Sequence, residues 1–345
     1  MHFFTLKSTK IQPGSTNNAQ NNPQKTSKPN KMPALGLGLW KIPQAQTAAT
    51  IVTALELGYR HIDSACDYAN EPQAGEGIAQ AIQQGICTRD DLWVTSKLWN
   101  TFHRPEHVRP ALLKTLSDLK LEKLNLFLIH FPIALKYVDF ATRYPPEWLH
   151  KPEANKPTMV IDRVPLHETW AAMEALVEEG LVDHIGVSNY NSGLVNDLLN
   201  YATIHPAVLQ IESHPYLTQD KVLQLCDQES IVPTAYSPLG GSSYVEMDMA
   251  TAEESLLKHP LIHVLASEYT VTPAQILLRW AIQRGTAVIS KSTQKAHLEE
   301  NFKLFSFELQ HKDMQAISGL NLNKRYNDPG IFCQAAFNTF HTIYD

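Results

Sequence analysis

His61–Glu71 reads HIDSACDYANE. The apolar run RHIDSA (60–65) closes inside it and a helical pattern opens at Glu71, so the stretch is a strand handing over to a helix through a loop. That loop carries an Asp and a Tyr, Asp63 and Tyr68. In α/β folds the chemistry gathers at such strand-to-helix loops. An Asp and a Tyr in one loop are unremarkable by themselves, and Asp63 alone is equally suited to capping the next helix. The decisive question is whether other strands end in matching groups.

Outward from this stretch the same punctuation recurs. ALGLGLW (34–40) leads to a helix over Gln44–Leu57, RHIDSA to one over Glu71–Gln84, and DLWVTSKLW (91–99) to one over Arg104–Leu119. KLNLFLIHF (123–131) precedes Leu166–Glu179, LVDHIGVSN (181–189) precedes Gly193–Asn200, and PAVLQIES (206–213) precedes Gln219–Gln228. IVPTAYS (231–237) is followed by Leu256–Glu268 and TAVISKS (286–292) by Lys295–Phe302, with one extra helix, Pro273–Gln283, between them. Short apolar strands alternating with helices imply a parallel sheet covered on both faces. Eight such units point to a closed (β/α)8 barrel of the α/β class rather than an open sheet.

Two connections exceed linker length: Pro132–Val164 after the fourth strand and Leu239–Ser255 after the seventh. Both are expected at the catalytic face. The tail NLNKRYNDPGIFCQAAFNTFHTIYD (321–345) shows little helical pattern but many aromatics, so it is expected to pack over the pocket. Residues 1–30, rich in Asn, Gln, Ser, Thr, Pro and Lys, are expected to form a disordered arm, leaving 31–345 as a single barrel domain.

The 345 residues are 43% hydrophobic and 19% charged, with a formal charge of −6. This gives no reason to expect a polyanionic partner such as nucleic acid, and any anion site is expected to be local. No apolar run approaches the roughly 20 residues of a membrane span. MHFFTL is too short for a signal-peptide core, and the arm lacks Arg, which weakens a transit-peptide reading; the expected location is cytoplasmic. Cys66, Cys87, Cys226 and Cys333 form no metal-ligand spacing, so free thiols and no metal are expected.

Lys97 closes the polar end of DLWVTSK and His130 closes KLNLFLIH. With Asp63 and Tyr68 they place Asp, Tyr, Lys and His at the same end of three consecutive strands, where a barrel makes them converge. A phenol with a pKa of about 10 is a poor acid near neutrality unless a cation favours its phenolate. Lys97 supplies the cation, Asp63 holds it charged and oriented, and His130 is placed to bond a substrate oxygen or tune the phenol. The set suits protonation of a carbonyl oxygen while hydride arrives at its carbon.

MPALGLGLW, GYRHIDSACDYANE, SKLWN, LFLIHFP, IGVSNY, AVLQIESHPYL, TAYSPLG, LLRWAIQRG and ENF, in this order, resemble the sequence blocks of the aldo-keto reductase family from Met32 onward. The insertion FPIALKYVDFATRYPPEW, the segment SYVEM and the tail RYNDP resemble its xylose reductase branch among the aldose reductases. The resemblance implies a (β/α)8 barrel, an extended nicotinamide cofactor and Tyr68 as proton donor. GLGLWK (36–41) lacks the third glycine of a dinucleotide-fold fingerprint, in keeping with a barrel.

Carried over by position, the resemblance assigns Ser188, Asn189 and Gln210 to the nicotinamide amide, Tyr236 to stacking on its ring, and Ser237 and Leu239 to the pyrophosphate. Lys291, Ser292 and Thr293 meet the 2′-phosphate, and Glu300 and Asn301 the adenine. His297 stands where the family usually has Arg. Arg is permanently charged and bidentate, whereas an ordinary imidazole is mostly neutral at pH 7. Glu246 resembles an acceptor for the ribose hydroxyls of the unphosphorylated cofactor, so NADPH use with appreciable NADH use is expected.

Trp40, Trp99 and Phe131 match apolar pocket positions, and Asn327 is placed to bond a sugar hydroxyl. The implied function is NAD(P)H-dependent reduction of open-chain, xylose-like aldoses by a monomer or homodimer. Alternatives are a sugar-phosphate reductase, for which Lys136, Arg143 and Arg163 offer cations, a general aldehyde reductase, or a non-catalytic cofactor-sensing barrel.

Overall fold

Alternation of buried side chains determines how each strand is used. In Trp93–Leu98 all six residues are buried. Thr95 and Lys97 share one face; Ser96, on the other, donates to Glu71 of the overlying helix at 2.6 Å. The sheet is therefore covered outside by helices and filled inside by side chains, the arrangement that a parallel barrel demands. The computed structural model describes residues 2–6 and 30–344.

In chain order the elements are β1 (Phe3–Thr5), β2 (Lys31–Pro33), β3 (Leu35–Gly38), α1 (Gln44–Glu56), β4 (His61–Asp63), α2 (Glu71–Gln83), β5 (Trp93–Leu98), α3 (Pro105–Leu119) and β6 (Leu124–Ile129). There follow α4 (Leu166–Glu178), β7 (Val182–Ser188), α5 (Ser192–Tyr201), β8 (Val208–Glu212), α6 (Asp220–Glu229) and β9 (Val232–Tyr236). The chain ends with α7 (Pro260–Tyr269), α8 (Pro273–Gln283), β10 (Ala287–Ser290), α9 (Lys295–Phe302), α10 (His311–Ser318) and α11 (Pro329–Phe337). Strands β3 to β10 form a closed parallel barrel, sealed where Val288 of β10 pairs with Leu35 of β3. The fold is the expected (β/α)8 barrel.

Close approach of β7 to β8 needs a glycine at 186, because a Cβ there would lie 2.3 Å from the Val208 carbonyl oxygen. Helix starts follow their sequence signals. Thr272 and Gln275 form a reciprocal capping box ahead of α8, with Pro273 at its first turn.

Three expectations change. The disordered arm does not hold at its start: β1 pairs antiparallel with β2, and Leu6 is buried with Met32, Trp93, Leu126 and Val208 at the N-terminal end of the barrel. Polar composition hid this, because the anchoring apolar residues occupy only the first few positions. Residues 7–29 lie outside the described residues. The tail is helical over Pro329–Phe337, where Asp328 caps Gly330 N–H at 2.8 Å and Pro329 occupies the first turn. The helix expected over Leu256–Glu268 instead splits, a short 3₁₀ turn at Leu256–Lys258 preceding α7.

Candidate active site

Register brings the polar strand ends together. Asp63 of β4 lies opposite Thr95 of β5, two residues before Lys97 on the same inward face. Lys97 Nζ lies 2.6 Å from Asp63 Oδ1, donates to the Ser64 carbonyl at 2.9 Å and reaches the Tyr68 hydroxyl at 3.1 Å. Lys97 and Asp63 are almost wholly buried, which makes their pairing obligatory. The fourth member, His130, stands edge-on to Tyr68 with ring centroids 5.8 Å apart. All four expected residues thus meet at one end of the barrel.

Their electrostatics differ from the expectation in one respect. Burial, with the Asp63 carboxylate adding to it, pushes the Tyr68 phenol well above its ordinary value. Lys97 Nζ, 3.1 Å from the hydroxyl and paired with Asp63 2.6 Å away, does not offset this while the phenol is neutral. Tyr68 therefore holds its proton as a hydrogen-bonded acid. Burial and then the Lys97 charge hold the His130 imidazole well below its usual range, so it is neutral. Its Nδ1 is buried and has no hydrogen-bond partner.

The next strand ends adjoin this set. Gln210 of β8 donates to Asp63 Oδ2 at 2.7 Å, a link between strands that sequence reading did not supply. Asn189, in left-handed backbone with φ of 63°, donates to the His130 carbonyl at 2.8 Å and to Ser188 Oγ at 3.2 Å. The Tyr236 hydroxyl donates to Asn189 Oδ1 at 2.5 Å and accepts from Asn327 Nδ2 at 3.1 Å. Ser237 shares a hydrogen bond with the Tyr244 hydroxyl at 3.0 Å, and Leu239 is half-buried in the following loop.

Glu246 makes a contact the sequence reading did not foresee, a 2.6 Å ion pair with Lys41 that ties the β9 loop to the β3 loop. Beyond β10, Lys291, Thr293 and His297 are exposed, Ser292 and Asn301 are buried and Glu300 is half-buried. Ser292 Oγ accepts from Gln294 N–H at 3.0 Å, and the first turn of α9 has no side-chain cap. These residues are not bonded to Asp63, Tyr68, Lys97 or His130.

Over the four residues stands an aromatic wall. Trp99 contacts His130 at 5.2 Å and Phe131 at 6.3 Å between ring centroids. Trp148, from the long connection after β6, packs on Trp99 at 4.9 Å and on Phe332 and Phe337 of α11 at 5.4 and 5.7 Å. Trp40 lies beside Tyr244 at 5.4 Å. Sequence reading missed Trp148, Phe332 and Phe337, whose only signal was aromatic richness in two segments far apart in the chain. It also passed over Asp67, beside Tyr68, whose carboxyl is pushed up to about 7 by burial and then by Glu147.

Residues 34–322 match the sequence pattern of the Aldo/keto reductase family. The chain belongs to that family. This aldo-keto reductase is 48% identical over 300 residues, 86% of its own chain and 94% of the relative's, to a probable NAD(P)H-dependent D-xylose reductase of Aspergillus fumigatus. It is 45% identical, over 86% and 93% of the two chains, to the NAD(P)H-dependent D-xylose reductase of Aspergillus niger. Its fold superposes on the aldose reductase of Schistosoma japonicum with a TM-score of 0.79 and 36% identity, covering 91% of this chain and 96% of that one. The reductase is thus related to xylose reductases. No helix among its described residues is long and apolar enough to cross a membrane.

Proposed function

We propose that the protein reduces the aldehyde of open-chain, xylose-like aldoses to the alditol, using NADPH and also NADH, with Tyr68 as the proton donor. The observation that carries this reading is the Tyr68 hydroxyl held 3.1 Å from Lys97 Nζ, itself paired with Asp63. The names of the fungal relatives support the substrate and the cofactor.

The residues present suit a nicotinamide dinucleotide. Amide side chains at 189 and 210 and the Tyr236 ring occupy adjacent strand ends, the set of donors, acceptors and aromatic face that a carboxamide-bearing ring requires. Farther out, exposed Lys291 and the uncapped first turn of α9 offer a cation and backbone N–H groups to a phosphate. When bound, the reduced nicotinamide supplies the hydride.

This chain's own residues do the rest. As the carbonyl carbon receives hydride, its oxygen gains negative charge and takes the Tyr68 proton. Lys97 Nζ stabilises the phenolate that forms, and Asp63 keeps that cation in place. Nδ1 of His130 is buried, so Nε2, which bonds to no protein group among the described residues, is the ring nitrogen left to engage a substrate oxygen, as donor or acceptor. Trp99, Phe131 and Trp148 exclude water, while Asn327 offers its amide to a sugar hydroxyl.

The aromatic wall also favours a second reading, reduction of apolar aldehydes. A phosphosugar is less well served, because Arg143 spends its guanidinium on the Pro146 and Leu149 carbonyls. The test follows NADPH and NADH oxidation by the purified protein with xylose, erythrose, mannose 6-phosphate and an aromatic aldehyde. The proposal expects kcat/KM highest for the unphosphorylated aldoses, with turnover on both cofactors. Turnover of the aromatic aldehyde alone would replace it with the second reading.

A further inference from the structure

Glu212, the last residue of β8, is fully buried, and none of the catalytic four touches it directly. Its carboxylate gathers three donors. Oε1 accepts from the Tyr326 backbone N–H at 2.9 Å and from His214 Nε2 at 2.9 Å, and Oε2 accepts from the Asn327 backbone N–H at 2.8 Å. The C-terminal tail is thereby clasped to a barrel strand two residues beyond Gln210.

From the clasp a continuous series of hydrogen bonds runs inward. Asn327 Nδ2 donates to the Tyr236 hydroxyl at 3.1 Å, Tyr236 donates to Asn189 Oδ1 at 2.5 Å, and Asn189 Nδ2 donates to the His130 carbonyl at 2.8 Å. The far end of the tail has its own tethers, Asn191 Nδ2 to the Ile343 carbonyl at 2.7 Å and the Tyr344 hydroxyl to the Asn189 carbonyl at 3.2 Å. Loss of the clasp would therefore loosen the tail around residues 326 and 327 while these outer tethers remain.

We propose that Glu212 is a positioning residue for the reduction: its carboxylate fixes the tail backbone at 326–327 so that the Asn327 amide, which also donates to the Tyr236 hydroxyl, meets a substrate hydroxyl. The substrate part rests on the aldose reading above. A glutamine at 212 has one acceptor oxygen and turns an NH2 group toward a backbone donor, so at least one of the three bonds is lost. Glutamine keeps the shape of the side chain, which separates the clasp from packing.

The experiment compares the parent, Glu212→Gln, Asn327→Ala and the double variant on xylose and on butanal, an aldehyde with no hydroxyl for Asn327 to meet. Glu212→Gln is expected to lower kcat/KM for xylose about tenfold and that for butanal by less than about twofold, the loss being confined to a bond made with a substrate hydroxyl. In the Asn327→Ala background the same change is expected to cost xylose less than about twofold, because two residues acting through one contact are not additive. Equal losses on both aldehydes, or full additivity, overturn the proposal. A parent that reduces butanal but not xylose removes the aldose reading instead. The clasp is then judged by hydrogen exchange at the Tyr326 and Asn327 amides, faster in Glu212→Gln if the carboxylate holds them and unchanged if it does not.

Discussion

Both ends of the barrel bury polar side chains, and they do so in opposite ways. At the N-terminal end Trp93 Nε1 donates to Thr95 Oγ1 at 3.1 Å, Thr95 meets His61 Nε2 at 3.2 Å, and His61 Nδ1 meets the Pro33 carbonyl at 3.3 Å. Each group has a partner, the set is neutral, and the antiparallel pair of β1 and β2 lies over it. At the other end Lys97 and Asp63 form an ion pair, Lys97 Nζ donates to the Tyr68 hydroxyl, and His130 Nε2 beside them bonds to no protein group among the described residues. A satisfied neutral set holds a barrel shut. A charged set with one group left open is equipped to act on something brought to it.

The sharpest way to break this contrast is to remove the buried cation. Lys97→Met leaves the buried Asp63 carboxylate without its ion pair, with the Gln210 amide still bonded to it, and the variant is expected to lose roughly 3–5 kcal/mol in urea unfolding. A stability equal to the parent's would mean that the pair is dispensable, as a surface pair is. The closed end is probed by acid. Burial pushes His61 down to about 4, whereas an unfolded imidazole titrates near 6.5.

Between those values the unfolded chain binds the extra proton, so the stability that neutral His61 contributes is intact above about pH 6.5 and falls as pH drops toward about 4. The loss is on the order of 3 kcal/mol, at about 1.4 kcal/mol per pKa unit. His61→Gln, compared with the parent in urea midpoints from pH 7 to 4, is expected to flatten this part of the acid loss; parallel curves would contradict the assignment. The smallest effect lies in the first turn of α9. His297→Arg is expected to raise the NADPH/NADH ratio of kcat/KM about tenfold through a charge-assisted contact with phosphate, and an unchanged ratio would sink that role.

Particular residues explain what was legible in the sequence. Eight strands stood out because parallel strands buried on both faces read as apolar runs, and Asp63, Lys97 and His130 stood out as polar residues closing them. Glu212 closes PAVLQIE in the same manner, and the same signal could have found it. Asp328 followed by Pro329 is a helix start that the aromatic tail obscured. The meeting of Trp148 with Phe332 and Phe337 depends on where two long segments fold back, which no local pattern encodes. Gln210 bonding Asp63 is likewise a product of closure across the barrel.

The open end stands or falls with the Tyr68 proton. Steady-state reduction of xylose with NADPH by Tyr68→Phe, measured alongside cofactor Kd, addresses it directly. Phenylalanine keeps the ring and removes only the hydroxyl that Lys97 Nζ meets at 3.1 Å. The account predicts kcat/KM lower by about 10²- to 10⁴-fold, the worth of a positioned general acid, with cofactor binding retained. A variant that reduces xylose at the parent's rate would contradict it.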